Sequence, residues 1–399
     1  MDPNEHSNMV CGTGVSIDMI QNVITDKCGI PEGFLSVMAQ MDLTWSPSNA
    51  KLPTRIVAKI PTKTKLPMLK GIFPDEIIDK IVKDVHIIHN GEVSTYEMFA
   101  KDPDMPVCVP NICGTMRLQE GDGEYPAYII MEDLGVNAAS VNFGEKLTEK
   151  QAHQVVKNLG YLHAWSTFHK DWTSELVVMD IQKVWEDIVQ QSQSGMGAVQ
   201  ALFREEHKGR LTEEQIEQIP LLKIEISDMK ETATVHLKYE GFDDVLLHGD
   251  IHTNNMMFHK DENGAPKGDL VALIDWQVVH TGNPCEDLLR LRNEIDGDQL
   301  DAEITAKMLG VYYDAYKEML IKNGQEQMPF TFETLEALME RSSDMFYRQF
   351  MPMMPKVLQG IDSGAIPGLD TEKIKRDTIN AFTGQIIKAL AKIDKEKKV

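Results

Sequence analysis

Cysteine is scarce and shows no paired pattern: there are five, at positions 11, 28, 108, 113 and 285. Only Cys108 and Cys113 are close, and no second pair completes a metal site. A disulfide framework and a zinc cluster are therefore excluded, and free thiols in a reducing compartment are expected. No apolar run reaches the length of a membrane span, and the N-terminal Met1-Asp2-Pro3-Asn4-Glu5-His6-Ser7-Asn8 has no basic stretch leading into an apolar core. Membrane insertion and a secretory leader are not expected, which makes the cytoplasm the expected compartment. Positive charge is in short supply, with 40 Lys and Arg against 62 Asp and Glu for a net charge of −22. That balance repels nucleic acid and anionic membrane.

What is present belongs to a globular protein. At 399 residues, with 42% apolar and 26% charged residues, the chain is long enough for two lobes or domains. Its most informative stretch is Val245-Leu-Leu-His-Gly-Asp-Ile-His-Thr-Asn-Asn-Met-Met-Phe258, followed by Leu270-Val-Ala-Leu-Ile-Asp-Trp-Gln277. Kinase-type phosphoryl transfer needs one carboxylate to orient and deprotonate the acceptor hydroxyl, and an amide and a second carboxylate to hold Mg²⁺ on the phosphates. Asp250 fits the base, and Asn255 and Asp275 fit the metal ligands. Between the two runs, Lys260-Asp-Glu-Asn-Gly-Ala-Pro-Lys-Gly268 is turn-rich and predicts a hairpin that brings Asn255 toward Asp275.

His248-Gly249-Asp250 with Asn255 five positions on, then Ile274-Asp275-Trp276, resembles the aminoglycoside phosphotransferase and choline kinase superfamily. Within it the chain is most similar to the ecdysteroid kinase-like group, including its uncharacterised nematode members. The resemblance covers most of the chain, but strong motif identity lies only between residues 245 and 291. It implies an α+β, bilobal protein-kinase-like fold with a small β-rich N-terminal lobe over 1–133 and a larger, mostly helical C-terminal lobe over 134–399. It also implies ATP and Mg²⁺ as cofactors, and transfer of the γ-phosphoryl group to a hydroxyl of a small molecule. A protein kinase is disfavoured, because Gly249 replaces the catalytic-loop Arg and no Ala-Pro-Glu segment follows Asp275.

Upstream, apolar spacing predicts a helix from Val15 to Lys27 with Ser16 available as N-cap, then a break at Gly29-Ile-Pro-Glu-Gly33 and a strand within Phe34–Trp45. On residues alone the break is as well an ordinary hairpin turn as a phosphate-covering loop, and it lacks G-x-G-x-x-G. The family's Gly-Phe-x-Ser element implies that Gly33 and Ser36 approach the nucleotide. Lys59 sits in the predicted strand segment Lys51–Pro61, either as an edge-strand lysine or as the lysine that holds the nucleotide phosphates; the downstream motif favours the second. Its acidic partner is Glu92 or Glu97. Glu92 has the family's spacing to a tyrosine, here Tyr96, and either glutamate is alternatively a solvated helix charge. Tyr125–Leu134 is an apolar strand meeting a loop, and the resemblance implies a hinge in which Met131, Glu132 and Leu134 receive adenine.

Farther on, Thr148 with Gln151 predicts a capping box opening a long apolar helix in which His163 is expected as a hydrogen-bonded core residue. His248 and Asp287 are expected to support the catalytic loop. The resemblance places the Asp287 carboxylate at a helix cap, and a plain first-turn carboxylate is the alternative. The cluster Met345–Pro355 either walls an acceptor pocket or packs in the core, the commoner use of such residues. His252 departs from the aromatic residue common among relatives. The acceptor stays open among steroid-like, choline-like and xenobiotic alcohols, and a catalytically inactive kinase-fold binding module is the alternative class.

Overall fold

The computed structural model describes residues 35–43, 53–63, 75–119, 127–142, 145–170, 172–176, 183, 186–187, 195–296, 301–362 and 371–396. The expected helix from Val15 to Lys27 and the turn ending at Gly33 lie outside these residues. The fold is α+β, β-rich at the N-terminal end and mostly helical beyond it, as the kinase-like resemblance implies.

Four strands open the described chain: β1 (Ser36–Asp42), β2 (Arg55–Pro61), β3 (Ile112–Met116) and β4 (Tyr128–Glu132), with the long helix α1 (Asp75–Lys101) between β2 and β3. They form one antiparallel sheet in the order β1-β2-β4-β3. The β-branched run of β2 suits a central strand, and Ile56 and Ala58 are fully buried in it. Lys59 pairs with Met38 on one side and Ile129 on the other, so it is a central-strand lysine and its aggregation-guarding alternative does not hold.

Beyond the sheet come β5 (Ala138–Ser140) and helix α2 (Glu149–Phe168), which opens on the expected Thr148–Gln151 capping box. Helices α3 (Gly195–Glu205), α4 (Glu213–Gln218) and α5 (Ile226–Thr234) follow. Four short strands then carry the central motif: β6 (Val245–Leu247), β7 (Met256–Lys260), β8 (Pro266–Leu273) and β9 (His280–Gly282). The expected hairpin is present, β7 pairing antiparallel with β8, and β6 pairs with β9. Five helices complete the chain: α6 (Cys285–Glu294), α7 (Ala302–Lys322), α8 (Phe332–Phe350), α9 (Met354–Asp362) and α10 (Thr371–Glu396).

The main core joins the two parts of the chain, running from Tyr96 and Phe99 on α1 through Leu159 and Trp165 on α2 to Trp276, Leu288 and Tyr312. Helices α2 and α7 cross at Gly160, where a Cβ would stand 2.8 Å from the Ala315 Cβ and 2.9 Å from the Tyr312 carbonyl oxygen. Only glycine allows that approach. Met351 and Met354 pack in a second cluster with α3, α4 and α10 and Met345 in the main core, so the methionines of the Met345–Pro355 stretch are core as expected, while Phe346 and Phe350 within it are partly exposed. Cys108 and Cys285 are free thiols. Among the described residues, no helix is long and apolar enough to cross a membrane.

Candidate active site

The two loops that the sequence singles out, around Asp250 and around Asp275, are tied to each other. His248 is buried, and its two ring nitrogens make different bonds: Nδ1 lies 3.2 Å from the Asp250 N–H, and Nε2 lies 3.0 Å from the Ile274 carbonyl oxygen. A ring that accepts at Nδ1 and donates at Nε2 is neutral, and burial pushes its pKa below the ordinary histidine value despite the nearby Asp287 and Asp250. The Ile274 N–H also donates to the Asn255 carbonyl at 3.0 Å. Trp276, fully buried, stacks at a tilt on His248 at 4.5 Å and meets Phe99 of α1 edge-on at 4.9 Å.

Asp287 holds the loop from beneath. Its Oδ2 accepts the His248 N–H at 2.8 Å and its Oδ1 the Gly249 N–H at 2.9 Å. His163 approaches Oδ2 at 3.4 Å and reaches the Tyr312 hydroxyl at 3.0 Å through its other nitrogen. Burial works against the Asp287 carboxylate, but His163, His248 and the Gly249 N–H outweigh it and pull its pKa down to about 2. Asp287 is therefore a loop support in the first turn of α6 and not its cap; Pro284 occupies the N-cap position, and Asn283 Oδ1 just before it accepts the Cys285 N–H at 2.9 Å.

Gly249 has a φ of +79°, and a Cβ there would stand 2.5 Å from the Val278 carbonyl oxygen and 2.8 Å from the His280 ring. Gly249→Ala is expected to destabilise the fold by about 1–3 kcal/mol, the scale of a strained backbone position. A lowered urea midpoint is the readout; an unchanged one would mean that the loop relaxes around the methyl group.

Above this support stand the groups that the sequence singled out. The Asp250 carboxylate, 31% exposed, lies 3.4 Å from His252 Nε2 and 3.4 Å from Asn255 Nδ2. Burial would raise its pKa, yet His252, Arg290 and His248 hold it below the usual carboxylate range. Asn255 Nδ2 donates to the Asp250 carbonyl at 2.9 Å, so its Oδ1 is the atom left for a cation. Asp275 adopts a φ of +67°, the one positive value among the described non-glycine residues, which sets its carboxylate at the mouth of the two loops.

Lys59 reaches across from the sheet. Its Nζ lies 2.6 Å from Glu92 Oε2 and 2.5 Å from Asp275 Oδ1. Burial disfavours the ammonium, but the two carboxylates overcome it and keep the lysine charged. Burial also pushes the Glu92 carboxyl up to about 7, against the pull of Lys59. Glu97 is elsewhere engaged, with Arg117 at 2.6 Å and the Thr115 hydroxyl at 3.0 Å. Of the two glutamates the sequence left open, Glu92 is the one that the structure brings to Lys59.

The expected hinge and phosphate-loop residues are less concentrated. Ser36 begins β1 and shares a small pocket with Lys59, Glu92 and Gln277, whereas Gly33 lies outside the described residues. Met131 is buried one residue before the end of β4, Leu134 begins a single 3₁₀ turn, and the Glu132 carboxylate is taken by Asn111 at 3.0 and 3.1 Å. The structure adds Tyr312, Arg290, Glu286 and His280, none of which sequence reasoning selected.

A family model described as "DUF1679: Uncharacterized oxidoreductase dhs-27" matches residues 18–395. The chain belongs to the DUF1679 family. "Uncharacterized oxidoreductase dhs-27" of Caenorhabditis elegans is 23% identical in an alignment of 337 residues that covers 79% of this chain and 37% of that protein. The DUF1679 chain thus spans little more than a third of the length of that relative. Among solved structures it is similar to choline kinase from Cryptosporidium parvum, at 15% identity and a TM-score of 0.45, covering 92% of this chain and 89% of the other. It is also similar to the GDP complex of aminoglycoside 2'-phosphotransferase-IIIa, at 12% identity and a TM-score of 0.43, covering 91% and 97% of the two chains.

Proposed function

We propose that this protein is a small-molecule kinase, transferring the γ-phosphoryl group of ATP to a hydroxyl, with lobes dividing at residues 133 and 134. The observation that carries the reading is Lys59 of the sheet bridging Glu92 of α1 and Asp275 of the metal loop, with Asp250 and Asn255 hydrogen-bonded beside them. That is the set of groups phosphoryl transfer requires.

The residues suit a magnesium nucleotide. Their free donors are a carboxylate and an amide oxygen, which prefer a hard cation, and Mg²⁺ ordinarily takes only one or two protein carboxylates beside phosphate oxygens and water. Among the described residues, no group of three or more His, Cys, Asp or Glu forms a dedicated metal cage. Glu92 Oε2 lies 2.6 Å from Lys59 Nζ, so this carboxylate can hold Lys59 while Asp275 turns to the cation. Mg–ATP, when bound, supplies the phosphoryl group and neutralises its developing charge. Asn255 and Asp275 would hold the metal, and Lys59 the phosphates. Asp250 orients the acceptor hydroxyl and takes its proton at a carboxylate oxygen. The rest is positioning and fixed charge. The oxidoreductase name stands in the family model's description and on the longer relative, and the grouped residues give no reason to carry it here.

The test is thermal unfolding with ATP, with and without Mg²⁺. A ligand present at 100 times its Kd stabilises the native state by about 2.7 kcal/mol, so Mg²⁺ should raise the melting temperature in wild type and far less in Asp275→Ala. Equal shifts with and without metal would remove Asp275 from the metal role. No shift at millimolar nucleotide would favour the inactive binding module.

A further inference from the structure

Beside the catalytic loop lies a cavity of about 280 Å³ bounded by α5, β9, α6 and α8. One wall is apolar: Leu289 of α6 with Phe346 and Phe350 of α8, whose rings stand 4.7 Å apart one helical turn from each other. Partly exposed aromatic rings facing a concave space mark a binding surface more often than a packing fault.

The other end is polar and uneven. Glu286 lies between two cationic side chains, 3.3 Å from His280 Nε2 and 3.4 Å from an Arg290 terminal nitrogen. The Arg290 terminal nitrogen donates to Glu286, while Arg290 Nε is buried without a hydrogen bond and His280 Nε2 has only its 3.3 Å ion-pair contact with Glu286. His280 is 6% exposed, and its Nδ1 already lies 2.7 Å from the Val278 carbonyl oxygen. A buried guanidinium N–H without an acceptor, beside a histidine nitrogen held only at 3.3 Å, favours an occupant that brings oxygen acceptors.

This end adjoins the reaction site. Arg290 is one of the cations that hold down the Asp250 carboxyl, and the His280 ring packs against Gly249. A cationic occupant is disfavoured, because Glu286 already has His280 and Arg290 as neighbours, and Asp244 at the rim lies 2.9 Å from His236 Nε2.

We propose that this cavity is the acceptor site and takes an uncharged, largely apolar alcohol carrying a second oxygen beside the reacting hydroxyl, such as a vicinal diol. The assignment rests on the phosphotransfer reading. The reacting hydroxyl faces Asp250, the second oxygen accepts from Arg290 or His280, and the apolar body lies on Phe346 and Phe350. The acceptor oxygen gains the bond to phosphorus as the bond from the γ-phosphorus to the β–γ bridging oxygen breaks. Its proton goes to Asp250, and ADP leaves.

Calorimetric titration without nucleotide tests the pocket separately from the reaction, using octane-1,2-diol, octan-1-ol and choline. The diol should bind about tenfold more tightly than octanol, the worth of one hydrogen bond, with choline weakest. Phe346→Ala and Phe350→Ala should each weaken the diol about tenfold, the scale of losing a buried ring, without altering the Mg–ATP thermal shift. Choline binding more tightly than the diol, or diol affinity unmoved in both variants, would overturn the assignment. Diol binding that depends on the phenylalanines, with no phosphate transfer from ATP, would leave the ligand class standing and overturn the phosphotransfer reading. Transfer at wild-type efficiency in both variants would overturn the cavity as acceptor site.

Discussion

Asp250→Asn is expected to lower the rate of phosphoryl transfer by about 10²- to 10⁴-fold, the range measured for a positioned general acid or base, with Mg–ATP affinity little changed. The substitution keeps the shape of the side chain, and the loop is held through the Asp250 backbone, its N–H bonded to His248 and its carbonyl to Asn255. What is lost is the atom that takes the hydroxyl proton. His252 gives an independent check that the change is local. Burial disfavours its charged form, but Asp250, Glu294 and Asp275 raise its pKa above the ordinary histidine value. In the variant the first of these charges is gone, and His252 should titrate at lower pH by NMR. Unchanged turnover, with His252 shifted as expected, would remove Asp250 from the base role.

The sequence made this centre legible because its chemistry is local. Asp250 and Asn255 share one loop, Asp275 closes the adjoining hairpin, and a lysine within an apolar strand stands out from its neighbours. Choosing between Glu92 and Glu97 needed the structure. Five residues along a helix turn a side chain by about 140°, so only one of the two can face Lys59, and the rotation of α1 about its axis is set by distant packing. That packing comes from Phe99 against Trp276 and from Arg117 drawing Glu97 toward β3. His163 was rightly placed in the core, but its partners Tyr312 and Asp287 are 149 and 124 residues away, and no spacing rule connects them. The polar end of the cavity left a weak local signal in the i,i+4 pair Glu286 and Arg290. Its meaning depends on His280, brought beside them by the pairing of β9 with β6.

Asp287→Ala is expected to cost about 3–5 kcal/mol of stability, because it breaks a buried charged network from one side. The His248 and Gly249 N–H groups would both lose their acceptor, each unsatisfied donor costing about 1–3 kcal/mol, and His163 would keep only Tyr312. Against a native stability on the order of 5–15 kcal/mol, such a variant stays folded only marginally. Asp287→Asn separates support from charge. The two N–H groups donate to different carboxylate oxygens, so an amide satisfies one and sets its own NH₂ against the other. This variant should lose about 1–3 kcal/mol, and its kcat should fall by about 100-fold through displacement of Asp250, with little change in KM for ATP. A merely structural residue would lower the yield of folded enzyme without this split between kcat and KM. Acid titration supplies the sign. A carboxyl held at about 2 in the native state, against 3.8 for the free group, stabilises the fold fully above pH 4 and loses that contribution as the pH falls toward 2. The stability gap between wild type and Asp287→Ala should therefore narrow by about 2 kcal/mol over that interval. A gap that stays constant from pH 5 to pH 2 would mean that the Asp287 charge contributes nothing, and that the support is one of shape alone.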